Sequence, residues 1–399
     1  MSGPYPHAKS REHGYEFRLE ASDAGVSWCS RGGPVVRPFF VALFALLLSS
    51  ALRAERMTVS QFRAMLVTEA SARKSDAKIA DKIGSVDLSE QLTPVTLNQI
   101  RSQINPGPKT SQALALQSDL SGFLDPPDSE RPDQAPPDPS AQRRMLRRAV
   151  EFADLTLHRM PDFLATRITR VFDDSPLIVS DAGWYPAHTN LHPVGAFSEP
   201  ITYRNGKEVF DLSSGRQAPS SPSGLTSSGE FGPILATVIN DAARGQMTWR
   251  YWQQSPAGRV AVFRFDVPSS ASHYLVGFWV GAPTTSFDRH INDSTSESNC
   301  YRGAPGYHGL LSIDPSTGNI LRIAIQADLP RSERLGRADL FVDYGSVRIG
   351  GRAWICPVHS VAVSLIHFPE ASPARSMLCV NDVSFAAYHR FGADVRVLQ

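Results

Sequence analysis

The stretch Tyr307–Leu329, YHGLLSIDPSTGNILRIAIQADL, decides how the second half of this chain is read. Its polar residues are either a catalytic set or the turn and outer face of a β-hairpin. His308, Ser312 and Asp314 fall at i, i+4 and i+6, so on one strand they point the same way while spreading over roughly 20 Å. A triad needs hydrogen-bond contact, so these three form none locally. Leu311 and Ile313 share one strand face, and Leu321, Ile323, Ile325 and Ala327 share one face of the next. Pro315-Ser316-Thr317-Gly318 is a turn sequence, with Gly318 suited to positive φ. Arg322, Gln326 and Asp328 then take an opposite, wet face. The stretch predicts an antiparallel hairpin.

The same period of two extends on both sides. FLATRITRVF (163–172) alternates, ITYRNGKEVF (201–210) turns at Asn205-Gly206, and MTWRYWQQSPAGRVAVFRFDV (247–267) turns at 256–258. SHYLVGFWV (272–280), RADLFVDYGSVRIGGRAWICPVHSVAVSLI (337–366) and CVNDVSFAAYHRF (379–391) continue the series. One helix interrupts it, with Ser227 and Glu230 as a capping box, Pro233 in its first turn and Gly245 at its end. Many hairpins with few helices predict an α+β domain, a large curved antiparallel sheet with one or two packed helices.

Upstream the period changes. Thr58 and Gln61 fit a capping box, and Val59, Phe62, Leu66 and Ala70 recur at helical spacing. Thr93-Pro94 opens a further helix, and KTSQALALQSDLSGFL (109–124) is amphipathic. Residues 55–124 are expected to form a small helical unit with a core too small to stand alone. DPPDSERPDQAPPDP (125–139) holds six prolines and five acidic residues, so 125–140 reads as an extended linker into the sheet domain, 141–399. The next helix carries Arg143, Arg144, Arg147 and Arg148, read as a solvated face beside the acidic linker rather than a lipid-binding end.

The first 54 residues read as an extension and a signal peptide. Arg37 precedes an apolar run from Phe39 to Leu48, and Ala51-Leu52-Arg53-Ala54 offers cleavage after Ala54. The run is short for a membrane span of about 20 residues, although an uncleaved anchor is the alternative. The polar lead-in suggests a start at Val35 or Val36, with a genuine disordered extension as the other reading. The expected location is therefore periplasmic or secreted. A net charge of +1 gives no global field toward nucleic acid. Of four cysteines, Cys29 precedes the cleavage point; Cys300 with Cys356 is the preferred disulfide, against three buried thiols including Cys379.

Candidate chemistry is sparse. His188 and His192 are four apart but lie between Pro186 and Pro193, where a zinc-binding helix is not expected. No nucleophile elbow, Walker loop, zincin motif or Cys-x-x-Cys occurs after residue 54, so no cofactor or metal is predicted. Trp249, Tyr251, Phe278 and Trp279 either line a ligand groove or fill the core.

The runs MTVSQFRAML, GLTSSGEFGPILATVINDA, GYHGLLSIDPSTGNILRIAIQADL, RADLFVDYGSVRIGGRAWICPVHSV and NDVSFAAYHRF resemble a family of uncharacterised exported proteins common in acidobacteria. That resemblance carries no catalytic residues. The order SIDPSTGNILRI, then DLFVDYGSVRIGGRAWICPV, is similar to the late strands of outer-membrane lipoprotein-sorting proteins of the LolA, LolB and RseB type. It implies a sheet curled around helices with a concavity for acyl chains or a partner. The expected role is non-catalytic binding of a hydrophobic ligand or a cell-envelope protein. Two alternatives stand beside it: a secreted hydrolase using His188, His192, Asp288 and His290, and an envelope scaffold.

Overall fold

The structure, a computed structural model, describes residues 55–174, 190–209, 224–227, 229–255, 258–279, 300–330, 334–368 and 375–391. Strand β1 (Glu55–Met57) leads into α1 (Val59–Ser71), α2 (Asp76–Gly84) and β2 (Val86–Leu88), which pairs in parallel with β1. Helices α3 (Pro94–Ile104) and α4 (Pro108–Leu120) follow, the latter continued by a 3-10 turn at Ser121–Phe123. Thr58 and Gln61 form the expected capping box on α1, and Thr93 caps α3 ahead of Pro94. Phe62, Leu66, Ile83, Leu92, Ile100 and Leu114 make the unit's own core.

After α5 (Pro139–Arg159) the chain is mostly strand: β3 (Phe163–Asp173), β4 (His192–Arg204) and β5 (Lys207–Val209), then α6 (Pro233–Arg244). Strands β6 (Gln246–Ser255), β7 (Gly258–Val267), β8 (Val276–Trp279), β9 (Cys300–Gly303) and β10 (Gly306–Ile313) come next. The last four are β11 (Ile320–Asp328), β12 (Leu335–Ile349), β13 (Arg352–Phe368) and β14 (Arg375–Arg390). Ten of them form one open sheet in the order β5-β4-β3-β14-β13-β12-β11-β10-β7-β6, and β8 pairs with β9 apart from it. Every neighbouring pair in the large sheet is antiparallel. This is the α+β class that the alternating runs predict.

The hairpin at Tyr307–Leu329 forms as read. Leu311 lies opposite Ile323 and Ser312 opposite Arg322, with a bulge before Ile313 meets Ile320. Asp314 accepts hydrogen bonds from the Ser316 amide and hydroxyl, at 2.8 and 2.6 Å, and Gly318 adopts φ 83°. The polar residues there build a turn.

Both faces of the sheet's central strands are covered, while most of β4 from Pro193 to Pro200 is exposed. On one, Met145, Ala149 and Ala153 of α5 and Leu235, Val238 and Ala242 of α6 pack on Phe263, Leu311, Ile323 and Val342. On the other, Leu116 and Phe123 of the helical unit pack on Phe172, Ala324, Phe341, Val361 and Val380. Around Arg322 that face is therefore covered rather than wet as its alternation suggested, whereas Asp328, farther along it, is exposed. Arg322 lies over the Phe341 ring, 3.9 Å from its centroid, and a Cβ on Gly122 would meet that ring at 2.5 Å. Alternation shows which residues share a face; it does not show that a distant helix covers it.

The acidic segment is not simply extended: a 3-10 turn at Asp128–Glu130 interrupts it, α5 begins at Pro139, and it is tied down at both ends. Asp125 pairs with Arg250 at 2.5 Å, the Trp252 indole donates to the Ala135 carbonyl at 3.2 Å, and Arg259 sits 4.3 Å above the Trp252 ring. It is a strap along the β6–β7 edge. Residues 54–399 form one compact unit. No helix among the described residues is long and apolar enough to cross a membrane.

Candidate functional site

An open groove of about 930 Å3 lies on the helical unit between α1, α3 and residues 127–130 of the strap. Caps position its walls. The Glu90 carboxylate accepts from the Val59 amide at 2.9 Å, adding a second cap to α1. Glu130 accepts from the Thr93 hydroxyl at 2.6 Å and from the Thr96 hydroxyl, fixing the strap to the start of α3. Arg63 stands in the groove. Its guanidinium donates to the side-chain carbonyls of Gln103 and Gln99, at 2.9 and 3.2 Å. Among the described residues no carboxylate pairs with it. The remaining lining mixes Ala64, Val67, Val95 and Pro127 with Ser60, Ser129 and Asp128, and Asp128 is paired with Arg131. Most of the lining is polar, with apolar side chains between the polar groups, and several of the polar groups are fixed by their hydrogen bonds.

Three buried polar clusters lie elsewhere. In the first, Arg167 donates to Glu230 at 2.8 Å, and Ser227 donates to the same carboxylate at 2.5 Å. The expected Ser227–Glu230 capping box is thus not the start of α6, whose N-cap is Gly232; Glu230 turns inward to neutralise Arg167. Glu208 also faces Arg167, at 3.7 Å, and the amides of Phe231 and Gly229 lie near its carboxylate without a well-formed hydrogen bond. Burial first, then the Glu230 charge, push the Glu208 carboxyl up to about 7; Arg167 and the amides of Phe231 and Gly229 offset only part.

In the second, buried Asp241 of α6 accepts from the Tyr307 hydroxyl at 3.0 Å and contacts His273 Nδ1 at 2.7 Å. This orients an exposed imidazole as a catalytic dyad would. Among the described residues no hydroxyl or thiol bonds the other ring nitrogen.

In the third, α4 meets the sheet. His359 Nε2 lies 3.0 Å from Asp382 Oδ1 and 3.8 Å from Asp119 Oδ1, and its Nδ1 lies 3.4 Å from Asp343 Oδ2. Arg322 faces Asp343 at 3.5 Å and Arg170 faces Asp382 at 3.4 Å. Burial alone would lower the His359 pKa, but bonds to Asp343 and Asp382 and the charge of Asp119 hold it up at about 10. Burial pushes the Asp119 carboxyl up to about 7, against the opposing charge of His359. Burial also works against Asp343, yet Arg322 and His359 hold its carboxyl below the usual range.

The residues singled out from sequence do not converge. His188, Asp288 and His290 lie outside the described residues. His192 begins β4 and faces Asp173 at 3.7 Å, at the end of β3. Ser312 is buried, Asp314 sits in the turn, and His308 pairs with Asp328 at 2.9 Å. Trp249 joins the core beside Trp252, Tyr251 lies under Arg131 of the strap, and the side chains of Phe278 and Trp279 are outside the described set. Arg143, Arg144, Arg147 and Arg148 are exposed along α5. Cys356 and Cys379 are free, buried thiols, so the expected Cys300–Cys356 bridge is not formed. Cys356 instead packs among Phe163, Tyr203 and Phe385.

Comparison with protein-family models, curated proteins and solved structures finds no match to this chain.

Proposed function

We infer that the protein is a non-catalytic binding module, and that the groove of its helical unit holds an extended polypeptide segment bearing a carboxylate. One observation carries this reading: the open concavity sits on the helical unit, while the central strands of the large sheet are packed on both faces. A hydrophobic-ligand carrier needs an apolar hollow between sheet and helix, and there Phe263, Leu311, Ile323 and Val342 already meet α5 and α6. Arg63 supports the choice of occupant. Two neutral amides hold it in place without neutralising it, which leaves a preorganised fork for a carboxylate. Gln99, Gln103, Ser60 and Ser129 supply donors and acceptors suited to peptide backbone. The signal-peptide layout of residues 35–54 supports an exported protein, hence a cell-envelope partner.

Fluorescence anisotropy with a labelled library of acidic peptides tests the reading. Saturable binding that falls at least tenfold in Arg63→Glu, and falls in Gln99→Ala, is the expected result. If no peptide binds, or binding ignores both substitutions, the groove is not the site. Native mass spectrometry of the purified protein carrying a bound lipid would return the carrier reading.

A further inference from the structure

The cluster under α4 has a geometry that an ion-pair network alone does not call for. We propose that Asp119 Oδ1, His359 Nε2 and Asp382 Oδ1 bind one divalent transition-metal cation of the zinc type. The three atoms come from α4, β13 and β14 and lie within 4.8 Å of one another. Tetrahedral ligands bonded at about 2.1 Å stand about 3.4 Å apart. The two imidazole-to-carboxylate distances, 3.0 and 3.8 Å, bracket that edge. Three protein ligands leave a fourth position for water.

Two further observations point to a cation at the centre. Asp119 is only 8% exposed, no described residue donates a hydrogen bond to its carboxylate, and that carboxylate faces His359 Nε2 at 3.8 Å. A carboxylate buried in that way is ordinarily paired or bound to a metal. The other imidazole nitrogen, Nδ1, faces Asp343, which is in turn held by Arg322. A carboxylate on the far nitrogen is the arrangement that orients a metal-ligating histidine and presents the lone pair of Nε2. With a neutral imidazole, Asp119, Asp343 and Asp382 outnumber Arg170 and Arg322 by one charge, which leaves a net negative cluster for a cation to meet; the imidazole proton leaves to solvent as the ion binds. The His359 side chain is 29% exposed, which leaves an ion a path in from solvent. Because one ligand lies on the helical unit and two on the sheet, the ion would bolt the two together. This proposal stands independently of the groove.

Competition of the untagged full chain with a chromophoric chelator for Zn2+ tests it, together with the visible spectrum of the Co2+-loaded protein. One equivalent of tightly held Zn2+ is expected, with tetrahedral Co2+ bands that added Zn2+ abolishes. Asp119→Asn and Asp382→Asn, checked for folding by circular dichroism, should each weaken binding at least tenfold. Asp343→Asn, which removes no ligand, should weaken binding about 10-fold or more. Zn2+ should raise the thermal midpoint of the wild type and not that of Asp119→Asn. Absence of saturable binding, or binding unchanged in both ligand variants, overturns the site.

Discussion

The two faces of the sheet's central strands are covered by different chemistry. Under α5 and α6 the contact is a broad apolar cluster, while under α4 a smaller apolar patch shares the interface with His359 and its three aspartates. Apolar burial is non-directional and supplies most of the stability, at roughly 1.5–3 kcal/mol per fully buried large side chain. A buried charge network supplies less, because desolvation offsets the Coulomb gain, but it fixes how the elements fit. The first face should therefore govern whether the chain folds, and the second how the helical unit is seated.

The largest effect that would break this contrast lies on the apolar face. Phe263→Ala, at a fully buried position, should cost about 3–5 kcal/mol by denaturant titration. On the other face, His359→Ala leaves three carboxylates without their common cation and should cost about 2–3 kcal/mol in metal-free buffer. Its signature should be undocking, seen as faster proteolysis within residues 125–139, before global unfolding. If both substitutions shift a single cooperative transition equally, the two faces do not differ in the way described.

Gly122→Ala comes next. The added methyl would meet the Phe341 ring at 2.5 Å and the Arg322 guanidinium at 2.8 Å, so overpacking should cost about 2 kcal/mol by thermal melting. The smallest effect is one of pH. The Glu208 carboxyl is held up at about 7, so the folded chain binds its proton more tightly than the unfolded chain. That contribution is full below the unfolded value of about 4.5 and is lost as pH rises through 7. Between pH 5 and 8 the wild type should lose on the order of 1 kcal/mol more than Glu208→Gln. A parallel pH profile for the two proteins would show that Glu208 stays ionised beside Arg167.

Local signals in the sequence were sufficient for local structure. Asp314 and Gly318 specify their turn, Asn205-Gly206 both take positive φ between β4 and β5, and Thr58 and Thr93 cap the helices they precede. Each depends on residues within a few positions. The sites depend on residues far apart. Asp119 reads as one polar position of an amphipathic helix and His359 as one polar position of a strand, and only the register of β13 with β12 and β14 brings the aspartates to it. Arg63 looks like any surface arginine until Gln99 and Gln103 arrive from α3. Ser227 and Glu230 have capping-box spacing, yet the need to neutralise buried Arg167 overrides it. Composition marks 125–139 as a linker but shows neither the turn at Asp128–Glu130 nor the docking, because the docking groups, Arg250 and Trp252, lie on β6.

Hydrogen exchange of the full chain, with and without a saturating acidic peptide, tests most directly where this protein binds. New protection confined to residues 59–67, 95–103 and 127–130 is the expected result, with the sheet unchanged. Protection along β10–β13 with none in the helical unit would contradict it and move the binding surface to the sheet.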